Sequence, residues 1–271
     1  QRNNCRRAVV AGAGLLGLEA AHALQKLGLK VTVLANTDYI LNRQLDAHGA
    51  ALLQRYLASQ EIEILTGAEA TALVAGGNGR VSAVRLNDGS ELPAEVFLAC
   101  TGVKPNVELA KASGIATRWG IVVDDRMQTN LAGVFAAGDV TEHEGISFGL
   151  WAVAVEQGQV AAINALGGQR QYQGDVPKTM LKVTGIDLLS VGSVSAYREN
   201  EIEIAEEQSG EFRYRKLVLA SGRAVGAILI GHPDLAETVA DLVKQGTNLT
   251  ALLPALRRGD WDVLMQAEMA A

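Results

Sequence analysis

A glycine-rich turn near the start of the chain combines residue types and spacing that could do chemistry. It reads Gly12-Ala13-Gly14-Leu15-Leu16-Gly17, directly after the apolar run Arg7 to Ala11 and at the start of an apolar-periodic segment, Leu15 to Leu27. In this pattern the first glycine permits a tight turn, the second lets a pyrophosphate approach the backbone, and the third lets the helix pack closely on the strand. The exposed N–H groups and partial positive charge of the helix N-terminus attract phosphate. The turn therefore predicts dinucleotide binding, and a purely structural strand-to-helix turn is the alternative. The residues of the turn that are predicted to form the cofactor-binding site are Gly12, Gly14, Leu15, Leu16 and Gly17.

The ribose end of this predicted site departs from the usual pattern. An acidic residue about twenty positions after the glycines normally binds the ribose hydroxyls at the end of the second strand. Here Ala35 stands at that position, followed by Asn36, which can hydrogen-bond a ribose without discriminating by charge. Two interpretations stay open: a neighbour replaces the carboxylate, or nucleotide affinity or selectivity is weakened. If position 35 faces the ribose, Ala35→Glu should tighten NADH binding.

Other reactive residue types give little sign of chemistry. Cys5 and Cys100 are far apart, without a CxxC motif or metal-ligand spacing, so no dithiol centre or metal site is predicted. Cys100 is expected to be a small buried hydrophobe. His143 and His232 have no partner at a telling spacing and are expected to be structural or surface residues.

The elements that must position these residues form an α/β pattern. Strands, helices and short hairpins alternate as in a Rossmann-like βαβαβ unit that carries an antiparallel meander. The predicted strands are 7–11, 30–34, 62–65, 95–100, 121–123, 133–139, 179–183, 188–194, 201–205, 214–220 and 224–231, with a meander over 69–93. The predicted helices are 15–27, 44–59, 107–113, 148–166, 235–245 and 249–257.

Composition narrows the function classes. A chain of 271 residues is long enough for two or three small domains. The 24 basic and 30 acidic residues are scattered and give a net charge of −6, which argues against a nucleic-acid surface. The apolar runs are too short to cross a membrane, and the first residues do not resemble a secretory signal, so a cytoplasmic location is expected.

Four motifs in order carry a resemblance to a known family. They are Gly12-x-Gly-x-x-Gly-x-Glu19, Arg43-Gln-Leu-Asp46, Thr101-Gly-Val-Lys-Pro-Asn106 and Gly133-Val-Phe-Ala-Ala-Gly-Asp139. Residues 7–168 thereby resemble the pyridine nucleotide-disulfide oxidoreductase superfamily. The tail, with Lys182-Val-Thr-Gly-Ile-Asp187 and Arg215-Lys-Leu-Val218, more loosely resembles the C-terminal domain of rubredoxin reductases and of the flavoprotein part of NADH-dependent nitrite reductases.

The resemblance implies two cofactors, FAD and NAD(P), and three domains. Residues 1–102 would form the NAD(P)-binding domain, 103–170 the second half of an FAD-binding domain, and 171–271 a C-terminal α+β domain. Asp139, after Gly138, would bind a ribityl hydroxyl of the flavin as a buried carboxylate, and the helix near 149–166 would aim its N-terminus at the flavin ring. Trp151 would pack on the flavin or at a domain interface. Glu19, in the first turn of its helix, would lie near the nicotinamide, and Gly102 would complete the cofactor-binding set.

The implied function is transfer of hydride from NAD(P)H to flavin and of electrons onward to a protein or inorganic acceptor, as in rubredoxin or nitrite reductases. No residue here is expected to be an acid, base or nucleophile. A first flavin-binding glycine turn is not found before residue 7. Three explanations for its absence are open: the chain is a fragment, it is part of an incompletely represented longer protein, or it is a natural short form. The first two are favoured. The alternative function is a flavin-free nucleotide-binding or regulatory module, or a fragment that needs a separate FAD-half chain. The sequence leaves open the acceptor and the choice between NADH and NADPH. It also leaves open the oligomeric state, for which a homodimer is one expectation.

Overall fold

A computed structural model describes residues 5–268 except 78, 175 and 184. The chain forms two compact units. The first contains residues up to Gly102 together with those from Lys178 onward, and the second is Val103–Pro177.

A parallel sheet opens the first unit. Its elements are β1 Arg7–Ala11, α1 Leu15–Lys26, β2 Lys30–Ala35, α2 Ala47–Ser59 and β3 Ile62–Thr66. Together with β7, Val96–Ala99, the strands form a four-stranded sheet in the order β3-β2-β1-β7 with parallel pairing throughout. Helical crossovers between parallel strands require this alternation, so the predicted βαβαβ unit is present.

A small antiparallel sheet separates β3 from β7. Its strands are β4 Ala70–Ala75, β5 Val81–Leu86 and β6 Glu91–Pro93, paired in chain order as the meander prediction required. The largely apolar run 95–100 predicts a buried strand, but β7 is only partly buried in its first half, and Leu98 in its second half is 36% exposed. The strand lies at the edge of the parallel sheet and is followed by the turn at Gly102.

The second unit is built around one long helix. Its elements are α3 Glu108–Ala112, β8 Ile121–Val123, β9 Thr141–His143 and α4 Trp151–Ala165, and β8 pairs with β9 in parallel. The strand predicted over 133–139 does not form. Its backbone makes a single bridge, between Gln128 and Phe135, and a strand needs a continuous ladder of partners.

An antiparallel sheet with short helices completes the first unit. The elements are β10 Lys178–Val183, β11 Ile186–Gly192, β12 Glu201–Gln208, β13 Arg213–Ala220, β14 Arg223–Ile230, α5 Ala236–Lys244, α6 Leu253–Leu256 and α7 Val263–Glu268. The strand order is β10-β11-β14-β13-β12, and we call this the C-terminal sheet.

One apolar core joins the two halves of the first unit. Buried residues of the parallel sheet and its helices, such as Val33 and Leu53, belong to the same cluster as Leu188, Ile228 and Ile230 of the C-terminal sheet. Burial of this shared surface stabilises both halves, so they hold together as one unit. Among the described residues, no helix combines the length and apolar character needed to span a membrane.

Candidate functional site

The glycine turn between β1 and α1 is held against the neighbouring strands. Gly12 donates its N–H to the Leu34 carbonyl at 2.8 Å and has a φ of +111°. A Cβ added at Gly12 would lie 2.1 Å from the carbonyl oxygen of Cys100, at the end of β7. Both the positive φ and the lack of space therefore require glycine here.

The other two glycines of the turn have different surroundings. A Cβ at Gly17 would lie 1.9 Å from the carbonyl oxygen of Gly12, because the first turn of α1 packs directly on the turn that precedes it. A Cβ at Gly14 would meet no atom within 4 Å. Gly12 and Gly17 are thus required by the protein itself, whereas Gly14 leaves an open space over exposed backbone, as a bound pyrophosphate would need.

The N-terminus of α1 presents free donors beside this space. Gly14 is its N-cap, with no capping side chain, and its carbonyl accepts the first helical hydrogen bond, from Leu18. The first N–H groups of a helix have no partner inside the helix, so those of Leu15 and Leu16 are placed to bind an anion. Glu19 is the fifth helical residue and is exposed, so it lies in the second turn rather than the predicted first.

The end of β2 separates Ala35 from Asn36. Ala35 is 1% exposed and belongs to the core cluster of the first unit, whereas Asn36 is exposed. Any gain from Ala35→Glu would therefore compete with the cost of placing a carboxylate at a buried position. Asn36 is the polar side chain that reaches the surface at this strand end.

Gly102 follows β7 on the same edge of the parallel sheet as the glycine turn, since β7 runs parallel to β1. It is exposed and has a φ of +88°. Ligands of open α/β sheets bind at this edge, outside the carboxyl ends of the strands. Cys100 is partly buried rather than fully buried, and its carbonyl oxygen occupies the space where a Cβ at Gly12 would lie.

In the second unit, hydrogen bonds fix the backbone at Gly138. Its N–H donates to Gln157 Oε1 at 2.9 Å, and the Thr141 hydroxyl lies 2.7 Å from the Gly138 carbonyl and 2.8 Å from the same Gln157 oxygen. Gln157 is buried in α4, and Gly138 has a φ of +82°. The turn that presents Asp139 is therefore anchored to the long helix.

Asp139 and Trp151 both face solvent in this chain. The carboxylate of Asp139 was expected to be buried, but the residue is exposed, because the turn at Gly138 directs it away from the unit's apolar core. Trp151, the first residue of α4, is 86% exposed and contributes nothing to that core. The N-cap of α4, Leu150, supplies no capping side chain, so this helix also begins with free N–H groups.

His143 is structural as expected, buried and hydrogen-bonded to Asp125 at 2.9 Å.

Two family models match the chain in tandem. Residues 1–158 match the pyridine nucleotide-disulphide oxidoreductase model, and residues 177–247 match the model of the rubredoxin NAD+ reductase C-terminal domain. The chain belongs to the pyridine nucleotide-disulphide oxidoreductase family. The predicted class, an oxidoreductase that uses FAD and a pyridine nucleotide, is confirmed at the level of the family.

The relatives include nitrite and rubredoxin reductases. The chain is 35% identical over 90% of its length to a nitrite reductase [NAD(P)H] of Bacillus subtilis, spanning 30% of that protein. It is 29% identical over 92% of its length to the NADH-rubredoxin oxidoreductase of Clostridium acetobutylicum, spanning 62% of it. Among solved structures, the covalent putidaredoxin reductase–putidaredoxin complex matches 98% of this chain and 64% of that one, with 25% identity and a TM-score of 0.85. The chain thus spans between about a third and two thirds of these relatives.

One family motif has a role that the sequence did not reveal. Asp46, the last residue of Arg43-Gln-Leu-Asp46, caps α2 by accepting the Gly49 N–H at 2.8 Å. Its other carboxylate oxygen accepts hydrogen bonds from Tyr214 Oη and Lys216 Nζ of β13, both at 2.8 Å. Lys216 is 2% exposed and also pairs with Glu203 at 2.8 Å. Helix α2 is thereby tied to the C-terminal sheet.

The electrostatics of this cluster follow from its contacts. Burial acts to raise the pKa of Asp46, but the hydrogen bonds from Lys216, Gly49 and Tyr214 outweigh it and hold that pKa below its ordinary value. Burial, followed by the hydrogen bond to Asp46, raises the pKa of Tyr214. Asp46 is therefore an acceptor and Tyr214 a donor at neutral pH.

Proposed function

We propose that this chain forms the pyridine-nucleotide site, part of the flavin site and the C-terminal domain of a flavoprotein. In that flavoprotein, hydride passes from NAD(P)H to FAD and electrons then pass to a protein or inorganic acceptor. The observation that carries the proposal is the open, uncapped start of α1 at Gly14, beside two glycines whose Cβ positions are filled by backbone. Free space is common at exposed glycines of this chain, and at Gly14 it adjoins the start of a helix that has no capping side chain.

In this proposal, the residues of the chain bind the cofactors and orient them. The N–H groups of Leu15 and Leu16 hold the pyrophosphate over Gly14, and Asn36 hydrogen-bonds the adenosine ribose. Gly102 borders the same sheet edge, and Glu19 lies one helical turn further along α1, toward the nicotinamide. When bound, the nicotinamide and flavin rings supply the redox chemistry themselves, so no acid or base from the protein is required.

In the second unit, Asp139 would accept a hydrogen bond from the flavin's ribityl chain. The free N–H groups at the start of α4 would stabilise negative charge on the flavin ring, and Trp151 would pack beside it. Supporting observations are the hydrogen-bonded turn at Gly138 and the exposure of Asp139 and Trp151, which leaves both side chains accessible to a ligand.

The acceptor is proposed to be a small electron-transfer protein or an inorganic nitrogen oxide, by analogy with the relatives named rubredoxin oxidoreductase and nitrite reductase. Apart from this acceptor, we propose no macromolecular substrate.

Binding of NADH to the 271-residue chain tests the nucleotide site. Gly14→Val should weaken NADH binding at least tenfold, measured by isothermal titration calorimetry, because the new side chain occupies the space proposed for phosphate. Gly77→Val is the matched control, since Gly77 is also exposed with no atom within 4 Å of its Cβ position. Equal affinity in the two variants would contradict the proposed site.

The redox part of the proposal has its own test. The whole protein in which this chain occurs is loaded with FAD, and NADH is added without oxygen while the flavin absorbance is recorded. The absorbance of the oxidised flavin should bleach. A flavin that binds and stays oxidised would contradict electron transfer, and failure of FAD to bind would favour the flavin-free module.

A further inference from the structure

The loop between β2 and α2, residues 36–46, runs from one side of β2 to the other. Near its start, the Thr37 carbonyl accepts the N–H of Gly67, the residue after β3, at 3.2 Å. Further along, the N–H of Leu41 donates to the carbonyl of Ala13, in the glycine turn after β1, at 3.1 Å. Since β2 lies between β3 and β1 in the sheet, the loop passes from the β3 side of the strand to the β1 side and meets the glycine turn there.

A single turn of this loop places Arg43 on the surface near the glycine turn. The Leu41 carbonyl accepts the N–H groups of Gln44 and Leu45, both at 2.8 Å, so residues 41–45 form one helical turn. Leu41 and Leu45 are buried in the core of the first unit, whereas Arg43 between them is exposed. The Cα of Arg43 lies within about 7.6 Å of the Leu41 Cα, because consecutive Cα atoms are about 3.8 Å apart. Its backbone is therefore held beside the turn while its side chain reaches solvent.

The charges at this edge of the sheet favour an additional phosphate. A carboxylate at the end of β2 would bind the ribose hydroxyls and repel a 2′-phosphate, but Ala35 stands there and Asn36 after it is neutral. Among the residues that the structure describes, none forms an ion pair or hydrogen bond with the guanidinium of Arg43, so its donors are available. A guanidinium binds a phosphate through two parallel hydrogen bonds.

Asp38 is the competing charge in the loop, and it is exposed. It directly follows Thr37, which is bonded on the β3 side, whereas Arg43 follows the segment bonded to the glycine turn. Asp46, the other carboxylate of the loop, is already paired with Lys216. Arg43 is thus the available charge nearest along the chain to the contact with the glycine turn.

We propose that Arg43 binds the 2′-phosphate of NADPH, so that the chain prefers NADPH to NADH. This preference rests on the proposed nucleotide site and specifies its substrate. The loop begins at the strand end proposed for the adenosine ribose and reaches the turn proposed for the pyrophosphate, so Arg43 lies on the path between the two. The N–H groups at the start of α1 would hold the pyrophosphate, and the guanidinium would hold the third phosphate.

Calorimetric titration of the 271-residue chain at pH 7 compares NADPH with NADH, which differ only in the 2′-phosphate. Wild type should bind NADPH about tenfold more tightly, the effect expected for one hydrogen-bonded contact between charged groups. Arg43→Ala should remove that preference and leave NADH affinity unchanged. Arg43→Lys keeps the charge without the planar fork and should retain about a threefold preference.

Arg6→Ala is the matched control for the loss of charge. Arg6 is also exposed, but it directly precedes β1 and so lies at the opposite edge of the parallel sheet from the glycine turn. The variant has the same net charge as Arg43→Ala and should keep the full preference for NADPH.

The 2′-phosphate itself gives a second readout. A phosphate monoester loses its second proton with a pKa of about 6, and a contacting guanidinium favours the dianion and lowers that pKa. Phosphorus NMR of NADP⁺ should therefore show a lower pKa for the 2′-phosphate when the nucleotide is bound to wild type than when it is free. Binding to Arg43→Ala should abolish the difference, which a purely structural role of Arg43 would not produce.

The outcomes separate this preference from the nucleotide site itself. Binding of NADH without a preference for NADPH would overturn the role of Arg43 and leave the site standing. A preference for NADH that Asp38→Asn reduces would place the ribose beside Asp38 and would overturn it as well. Equal losses of NADH and NADPH affinity in Arg43→Ala would assign Arg43 to the pyrophosphate and contradict the proposal. Failure of both nucleotides to bind would overturn the site and the preference together.

Discussion

Two helices of the parallel sheet begin in opposite ways. Helix α1 starts at Gly14 without a capping side chain, beside open space. Helix α2 starts at Asp46, whose carboxylate caps the helix and also binds Tyr214 and Lys216. Both helices have the same free N–H groups and the same dipole. One N-terminus is left available to a ligand, and the other is consumed by the protein to hold its C-terminal sheet.

The difference shows how one physical property serves binding and assembly. At α1, backbone atoms fill the positions of Gly12 and Gly17 while Gly14 stays open, so shape rather than charge defines the place for phosphate. At α2, a side chain supplies the negative charge that the helix attracts, and a buried lysine balances it. The first arrangement costs stability unless a ligand binds, and the second contributes stability without one.

The largest expected effect is on stability, from a substitution that disrupts the packing of α1 on the glycine turn. Gly17→Ala places a Cβ 1.9 Å from the Gly12 carbonyl oxygen, so α1 must shift on its strand. We expect a loss of about 3 kcal/mol in the free energy of unfolding of the 271-residue chain, measured with urea. Gly14→Ala adds the same methyl group into open space at the N-cap, where alanine is less favourable than glycine, and should lower that free energy by no more than about 1 kcal/mol. Equal losses in the two variants would contradict the distinct roles of the glycines.

The sequence predicted the glycine turn and helix α1 well because their contacts are local. The glycine spacing, the apolar periodicity and Gly28 all lie within one strand-turn-helix, and the structure has that helix over Leu15–Lys26. The predicted helix start, residue 15, is the observed one, so Glu19 falls in the second turn of the predicted helix as well, and its assignment to the first turn was wrong.

The α2 side could not be predicted in the same way. Asp46 and Lys216 are 170 residues apart, and nothing in the sequence identifies which lysine is buried. The strand expected over 133–139 failed for a related reason, since an apolar run becomes a strand only if a neighbouring backbone pairs with it. His232 is 5% exposed, and its burial likewise follows from tertiary packing that no local sequence pattern indicates.

An effect of similar size would break the contact between α2 and the C-terminal sheet. Asp46→Ala removes the helix cap and leaves the buried ammonium of Lys216 with Glu203 alone, so we expect a loss of about 3 kcal/mol in the free energy of unfolding. Asp46→Asn retains a capping oxygen and should lose less. Adding Lys216→Met to Asp46→Asn removes the buried charge and should recover part of the stability. If the double variant is no more stable than Asp46→Asn, the buried ion pair is not what holds α2 to the C-terminal sheet.

Acidification tests the same contact between α2 and the C-terminal sheet. The pKa of Asp46 is lowered in the folded chain, so the unfolded chain binds a proton at this residue at higher pH than the folded chain does. The stabilisation by Asp46 is therefore fully present above the ordinary carboxyl pKa and is lost as the pH falls through the folded value. Urea unfolding between pH 6 and pH 3 should show a steeper loss in wild type than in Asp46→Asn, and parallel curves would contradict this.

The smallest expected effect concerns what the open start of α1 selects. If Asn36 lies beside the adenosine ribose, Asn36→Asp places a carboxylate where the 2′-phosphate of NADPH would sit. Like charges about 4 Å apart in a solvent-exposed site repel by roughly 1 kcal/mol, so the ratio of NADPH to NADH dissociation constants should rise about fivefold. Asn200→Asp makes the same change at an exposed position of the C-terminal part and should leave the ratio unaltered. An unchanged ratio in Asn36→Asp would place the ribose elsewhere along the sheet edge. Since Ala35 is buried, selectivity would then depend on the loop that follows Asn36 rather than on the strand end itself.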